Sequence, residues 1–340
     1  MDITFIVGTG RCGSTMFSRM LRAHPDVLSV NELFASLACR GDRAFRAPPT
    51  DGAGFWSLLS RPSHQLDAVA ASEYRPPEMV YPYTHGRFRP LAGMPAIAHM
   101  VLPALTAGPD APYDDLSATV PHWPYRPLAD HYRELFADLG PRLGRSVVVE
   151  RSGASLAVLP ALRAMFPEAR FVHLSRSGPA CALSMSRHIA FRMMLLRTEA
   201  AKAFGACASF GLRPEHATAL PGRMDCDLVM RALLPLAAFG RFWSDLVTSG
   251  VDDFLRLPPE RRAALSYEDV LERPEHHLER LASFIGVDPD PAWLHGVAAS
   301  VVRRSRPPVT DPDTLAACAP GERALERQGR LLRDHAAFAS

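Results

Sequence analysis

The sequence predicts an α/β fold of three layers: a central, mainly parallel sheet flanked by helices, with insertions over the active site. Three observations carry this expectation. ITFIVG near the N-terminus is a short apolar run that stops at glycine, and a glycine-rich loop and a helical pattern follow it. SVVVE (146–150) and RFVHLS (170–175) are two further buried-strand runs, separated by the helical stretch LAVLPALRAMFP. AALSY (263–267) is a fourth run, leading into a long helical pattern. Strand, helix, strand order implies right-handed crossovers and parallel pairing.

Taken in order, the first strand ends at Gly8, and Met16, Phe17, Met20 and Leu21 then recur at helical spacing until His24-Pro25 breaks the pattern. Residues 40–144 are rich in proline and aromatic side chains without strong periodicity, which is too long for a plain loop and reads as an insertion packed over the sheet. A second, mostly helical insertion spans 190–240. Together the two are expected to form a cap that binds an acceptor. In EDVLERPEHHLERLASFIGV the apolar Leu271, Leu278, Leu281 and Ile285 fall near one face of a helix that carries Pro274 in its first turns. The 340 residues are read as one domain.

Composition narrows the function classes. Apolar residues make up 47% and charged residues 22%, a globular balance, and a formal net charge of +2 disfavours a broad nucleic-acid surface. Lys202 is the one lysine, so lysine chemistry has a single candidate. The six cysteines are scattered, with no C-x-x-C pair and no metal-ligand spacing, which points to reduced thiols, a cytoplasmic protein and no metal. No signal peptide or membrane-length apolar run is visible.

Gly8, Gly13, Ser14 and Thr15 fit G-x-x-x-x-G-[KST]-T, the P-loop pattern, with serine where triphosphate enzymes carry lysine. Backbone N–H groups of such a loop and the positive end of the following helix hold a phosphate. Without the lysine, a transferring γ-phosphoryl group would lose its usual partner, which disfavours a P-loop kinase. Arg11 offers a planar cation inside the loop instead.

FIVGTGRCGSTMFSRMLRAHPDVLSVNELF resembles the opening of sulfotransferases that use 3′-phosphoadenosine 5′-phosphosulfate (PAPS). FVHLSRSGPACALSMSRH is similar to that family's second motif, and LSYEDVLERPEHHLERLASFIGV to its later strand and helix. The motif spacing is closest to the protein-tyrosine branch. The resemblance implies that Gly10, Arg11, Cys12, Gly13, Ser14, Thr15 and Met16 bind the 5′-phosphosulfate, with no metal. It implies that Arg176 and Ser184, eight residues apart, grip the 3′-phosphate, and that Tyr267 contacts the nucleotide. SVVRRSRPPV is similar to a late basic loop, which carries Arg304 and Ser305 to the donor. Ser177-Gly178 departs from the family's usual Asp-Pro or Asn-Pro, and the C-terminal G-x-x-G-x-x-K loop of the aryl and steroid branch is missing.

Sulfuryl transfer to a hydroxyl requires a cation at the bridging oxygen and a base for the hydroxyl proton. Arg11 takes the first role by position, and Glu32, twenty-one residues later, matches the base of the protein-tyrosine branch. Adjacent Asn31 is a candidate for orienting the acceptor. Arg151 and Ser152, after SVVVE, match a segment that approaches the sulfonate or acceptor; an ordinary arginine at a helix start is the competing reading. His85, His99 and His122 lie in the first insertion, and His85 is retained as an acceptor-side candidate. The expected activity is PAPS-dependent transfer of a sulfuryl group to a hydroxyl of a small molecule or natural product. A P-loop kinase-like transferase and an inactive nucleotide-binding module are the alternatives.

Overall fold

The computed structural model describes residues 2–37, 41, 43–202, 224–301 and 307–334. The chain opens with β1 (Ile3–Val7), α1 (Ser14–Arg22), β2 (Val27–Asn31) and α2 (Leu33–Leu37). Then come α3 (Arg43–Arg46), α4 (Gly52–Ser60), α5 (His64–Ala71), α6 (Ala96–Leu105), α7 (Asp110–Thr119) and α8 (Leu128–Arg142). The middle of the chain supplies β3 (Val147–Arg151), α9 (Leu159–Met165), β4 (Arg170–Ser175), α10 (Gly178–Ser186) and α11 (Ile189–Lys202). The remainder contributes α12 (Cys226–Arg231), α13 (Leu236–Leu255), β5 (Arg262–Ser266), α14 (Tyr267–Glu272), α15 (Pro274–Ile285), α16 (Pro291–Ala299) and α17 (Pro312–Asp334).

All strand pairs are parallel, in the order β2-β3-β1-β4-β5. Parallel pairing sets the C-terminal ends of every strand along one edge, where ligands of open α/β sheets bind. Alternation along ITFIV divides the core into two layers. Ile3, Phe5 and Val7 face one apolar cluster and Ile6 the other. Phe5 lies fully buried among Phe34, Phe166 and Phe171, with ring centroids 6.2, 5.1 and 5.4 Å away. The fold is thus the expected three-layer, P-loop-type α/β arrangement.

Three expectations change in detail. VLSVN, for which no element is expected from the sequence, is strand β2, paired through Leu28 with Val148 and Asn31 with Arg151. Its central Ser29 interrupts the apolar run but is buried, donating its hydroxyl to the Ser18 carbonyl at 3.1 Å. The helix after β5 is two helices. Arg273 leaves helical space at φ −133°, ψ 69°, as the residue before a proline tends to, and Pro274 starts α15. Part of the segment 40–144 enters the core. Ile97 and Val101 of α6 and Tyr132, Leu135 and Phe136 of α8 pack in the core layer that includes Phe5, so this segment builds one helical face of the sheet.

Candidate active site

The loop from Gly8 to Gly13 turns directly from β1 into α1. Gly13 adopts φ +91°, and a Cβ there would stand 2.2 Å from the Tyr267 ring, so glycine is required both by conformation and by close approach. Arg11, at φ 57°, takes a left-handed conformation without glycine's freedom. Its Nε donates to Ser184 Oγ at 3.2 Å and its Nη1 to Glu78 Oε1 at 3.1 Å. The Thr15 hydroxyl donates to the same Glu78 oxygen at 2.8 Å. Cys12 is buried in the core, and that burial raises its thiol pKa.

From the end of β4, Arg176 donates to the Arg11 carbonyl at 3.1 Å, and its guanidinium lies 4.6 Å from the centre of the Tyr267 ring. Arg176 Nε is buried without a hydrogen-bond partner among the described residues. Arg11, Gly13, Ser14, Thr15, Met16, Arg176, Ser184 and Tyr267 line one cavity of about 1290 Å³. An unsatisfied guanidinium N–H beside a serine hydroxyl, a helix N-terminus and an aromatic ring suits an anionic nucleotide. The unusual Ser177-Gly178 is also accounted for. Glu268 accepts from the Ser177 N–H and Glu322 from the Gly178 N–H, closing the start of α10, while a Cβ at Gly178 would meet Trp243 at 2.4 Å.

Glu32 follows the last residue of β2 at φ 55°, another left-handed non-glycine residue. Its N–H donates to the Arg151 carbonyl at 2.7 Å and its carbonyl accepts from the Ser36 N–H at 2.8 Å, tying strand to helix. Glu32 Oε1 is ion-paired with Arg151 Nη1, and Oε2 accepts from the Gly153 N–H at 2.8 Å. Arg151 is therefore not an arginine at a helix start. It ends β3, is 3% exposed, and also donates to Ser18 Oγ at 2.9 Å, Ser14 Oγ at 3.4 Å and Asn31 Oδ1 at 3.2 Å. Ser152 serves the framework: its hydroxyl accepts from the Phe34 and Ala35 N–H groups and donates to Glu150 at 2.6 Å.

Glu32, Arg151, Ser152 and Phe34 line a second cavity of about 300 Å³, walled mainly by apolar side chains. Arg11, Ser14 and Glu78 line both cavities, so the two meet at the loop cation.

Two residues of this junction escape the sequence reading. Burial alone would raise the Glu78 carboxyl, but His188, Arg11 and Thr15 outweigh it and hold it well below the usual carboxylate range. His188 Nε2 stands 3.7 Å from Glu78 Oε2, while its Nδ1 accepts from the Ala190 N–H at 3.3 Å, which places the ring proton toward Glu78. Glu78 belongs to no motif and His188 closes the second motif without a role expected for it there, and only the folded chain brings the first insertion to the loop. His85, by contrast, lines neither cavity: it is exposed on a tight turn, beside Thr84. His99 is buried against Asp67 and Tyr83, and His122 is exposed, so both lie off the cavities as well. Arg304 and Ser305 fall outside the described residues.

Among the described residues no helix is long and apolar enough to cross a membrane, and no group of His, Cys, Asp or Glu is placed to hold a metal ion.

A family model described as "Sulfotransferase family" matches residues 4–211, more than half of the chain. No curated protein matches significantly. Among solved structures, the chain is similar to the sulfotransferase domain of the Synechococcus PCC 7002 olefin synthase (18% identity, 94% of each chain covered, TM-score 0.45). It is similar also to the sulfotransferase domain from the curacin biosynthetic pathway (16% identity, 94% of this chain and 96% of that one, TM-score 0.45). A sulfotransferase from Alicyclobacillus acidocaldarius matches at 17% identity, with 96% and 95% covered and a TM-score of 0.41. The loop sequence, the sheet it springs from and the matched family model agree: this chain belongs to the sulfotransferase family.

Proposed function

We propose that the protein transfers a sulfuryl group from PAPS to an acceptor hydroxyl, with the donor in the larger cavity and the acceptor in the smaller. The observation that carries this reading is the junction of the two cavities at Arg11 and Ser14, with Arg176, Ser184 and Tyr267 on one side and Glu32 on the other. Arg176 and Ser184 would hold the 3′-phosphate. The loop N–H groups, Thr15 and Arg11 would hold the 5′-phosphosulfate, which supplies the electrophilic sulfur.

In the reaction the acceptor oxygen forms a bond to sulfur as the bond from sulfur to the 5′-phosphate oxygen breaks. Arg11 stabilises the charge that develops on that bridging oxygen. Glu32 takes the hydroxyl proton. Arg151 holds the buried Glu32 in place through the ion pair, and Asn31, through Arg151, completes the clamp. Glu78 occupies Arg11 and Thr15 in the structure described here and must yield when an anion arrives.

Donor identity is tested by calorimetry and mass spectrometry with PAPS and with Mg²⁺–ATP. The expected result is binding of 3′,5′-diphosphoadenosine, at least about tenfold weaker in Arg176→Ala, and product formation from PAPS alone. Product formation from Mg²⁺–ATP, with no binding of 3′,5′-diphosphoadenosine, would overturn the proposal.

A further inference from the structure

The smaller cavity combines a group of charged side chains with a mainly apolar wall. Its charged lining residues include Glu32 paired with Arg151, and Glu78 paired with Arg11 and facing His188. Phe34 and Phe191 stand close to this group, and Leu66, Val69, Met100 and Met193 add to the apolar wall. Two of the hydroxyls that reach the wall are already engaged. Ser63 Oγ accepts from the Leu66 N–H at 3.3 Å, and Ser152 Oγ is held between α2 and Glu150. Helix α11 runs along the cavity from Ile189 to Arg197, roughly 12 Å at the helical rise per residue. At its far end Arg197 is exposed and donates to Gln65 Oε1 at 2.6 Å, marking where the cavity opens.

We infer that this cavity selects an apolar alcohol or phenol, seated hydroxyl-first against Glu32 and Arg11 with its hydrocarbon body along α11. The inference rests on the proposed sulfotransferase reading of the site. Its physical basis is desolvation. A single hydroxyl reaching Glu32 exchanges water for a carboxylate acceptor. Each further hydroxyl on the body would be stripped of water against a lining in which methionine, phenylalanine and branched aliphatic side chains predominate. A sugar is disfavoured on this ground, whereas the hydrocarbon chain or ring of a simple alcohol gains from burial. Methionine-rich walls adapt to several body shapes, so a class of alcohols rather than one compound is expected. An added hydroxyl on the body should lower kcat/KM by about 100-fold.

The test is saturation-transfer NMR on the full-length protein loaded with 3′,5′-diphosphoadenosine, using n-octanol, p-butylphenol, glucose and glycerol as probes, followed by PAPS turnover with the same compounds. Octanol and butylphenol are expected to bind saturably and to be sulfated, with glucose and glycerol failing on both counts. Met194→Trp, at a half-buried wall position, should weaken alcohol binding about tenfold and leave nucleotide binding within about twofold. Met193→Ala, which enlarges the same wall, should shift preference toward bulkier phenols; it serves as the independent check should the tryptophan variant misfold. Preferential binding or sulfation of glucose or glycerol would overturn the inference, as would alcohol binding unaltered by both substitutions. Saturable alcohol binding without any transfer from PAPS would support the apolar site and count against the sulfotransferase reading instead.

Discussion

Glu32 is held by the chain more firmly than a surface carboxylate would be. The ion pair to Arg151 and the bond from the Gly153 N–H engage both of its oxygens, and its left-handed backbone is fastened on either side. Arg11 and Ala154, the latter also at φ 57°, share that conformation nearby, so three of the non-glycine residues at positive φ cluster around one junction. Such strain persists only where surroundings enforce it, and it marks sites that must be rigid. Behind Glu32, burial pushes the Glu150 carboxyl from its ordinary 4.5 up to about 8, against the opposing pull of the Ser152 hydroxyl. A carboxyl with a raised folded pKa binds more protons folded than unfolded between those values. Its contribution to stability is therefore full below about pH 4.5 and is lost as pH rises toward 8. Glu150→Gln, which imitates the protonated form, should remove this loss. Urea unfolding from pH 4 to 9 should show the wild-type stability falling relative to the variant by at most about 1.4 kcal/mol per pH unit, and converging with it at the acid end. The loop, Arg176, Ser184 and Glu32 were legible in the sequence because motif spacing carries them. Glu78, His188 and the Arg151–Glu32 pair were not, since each depends on residues more than a hundred positions apart or on an insertion without a pattern of its own.

The elements that carry these residues are positioned by close backbone packing as much as by side chains. Helix α1 can start where it does because Gly13 lies against the Tyr267 ring, which in turn lies under the Arg176 guanidinium. Gly13→Ala forces a Cβ into that ring at a φ of +91°. It should destabilise the fold by about 2 kcal/mol and weaken 3′,5′-diphosphoadenosine binding by tenfold or more. Gly144→Ala, at φ +65° with open space around it, is the control. It should carry only the backbone cost, with nucleotide affinity unchanged, in paired thermal unfolding and calorimetric titrations. Equal losses of affinity in both variants would show that Tyr267 packing has no part in the site. Strands β1, β3, β4 and β5 were readable as apolar runs bounded by loops. Strand β2, as long as β1, β3 and β5, was hidden by its buried Ser29, whose partner is another element's carbonyl.

At the scale of the whole molecule, parallel pairing in the order β2-β3-β1-β4-β5 gathers the ends of β1, β2, β3 and β4 at one edge. That edge receives the loop, Glu32, Arg151 and Arg176 from segments distant in sequence. The fold class followed from strand order and apolar runs, yet the division into two cavities meeting at Arg11 did not, because it arises from the first insertion folding back so that Glu78 reaches the loop. Part of that insertion is core rather than cap, which composition alone could not distinguish: proline-rich, aromatic sequence packs Tyr132 and Phe136 as tightly as any strand residue. The central claim is that Glu32, at this junction, takes the acceptor's proton. It is tested most directly by single-turnover transfer of sulfur-labelled PAPS to the best acceptor, comparing wild type with Glu32→Gln at saturating donor. The variant is expected to bind 3′,5′-diphosphoadenosine within about twofold of wild type while the transfer rate falls by roughly 100-fold or more. A variant that transfers label at close to the wild-type rate would contradict it.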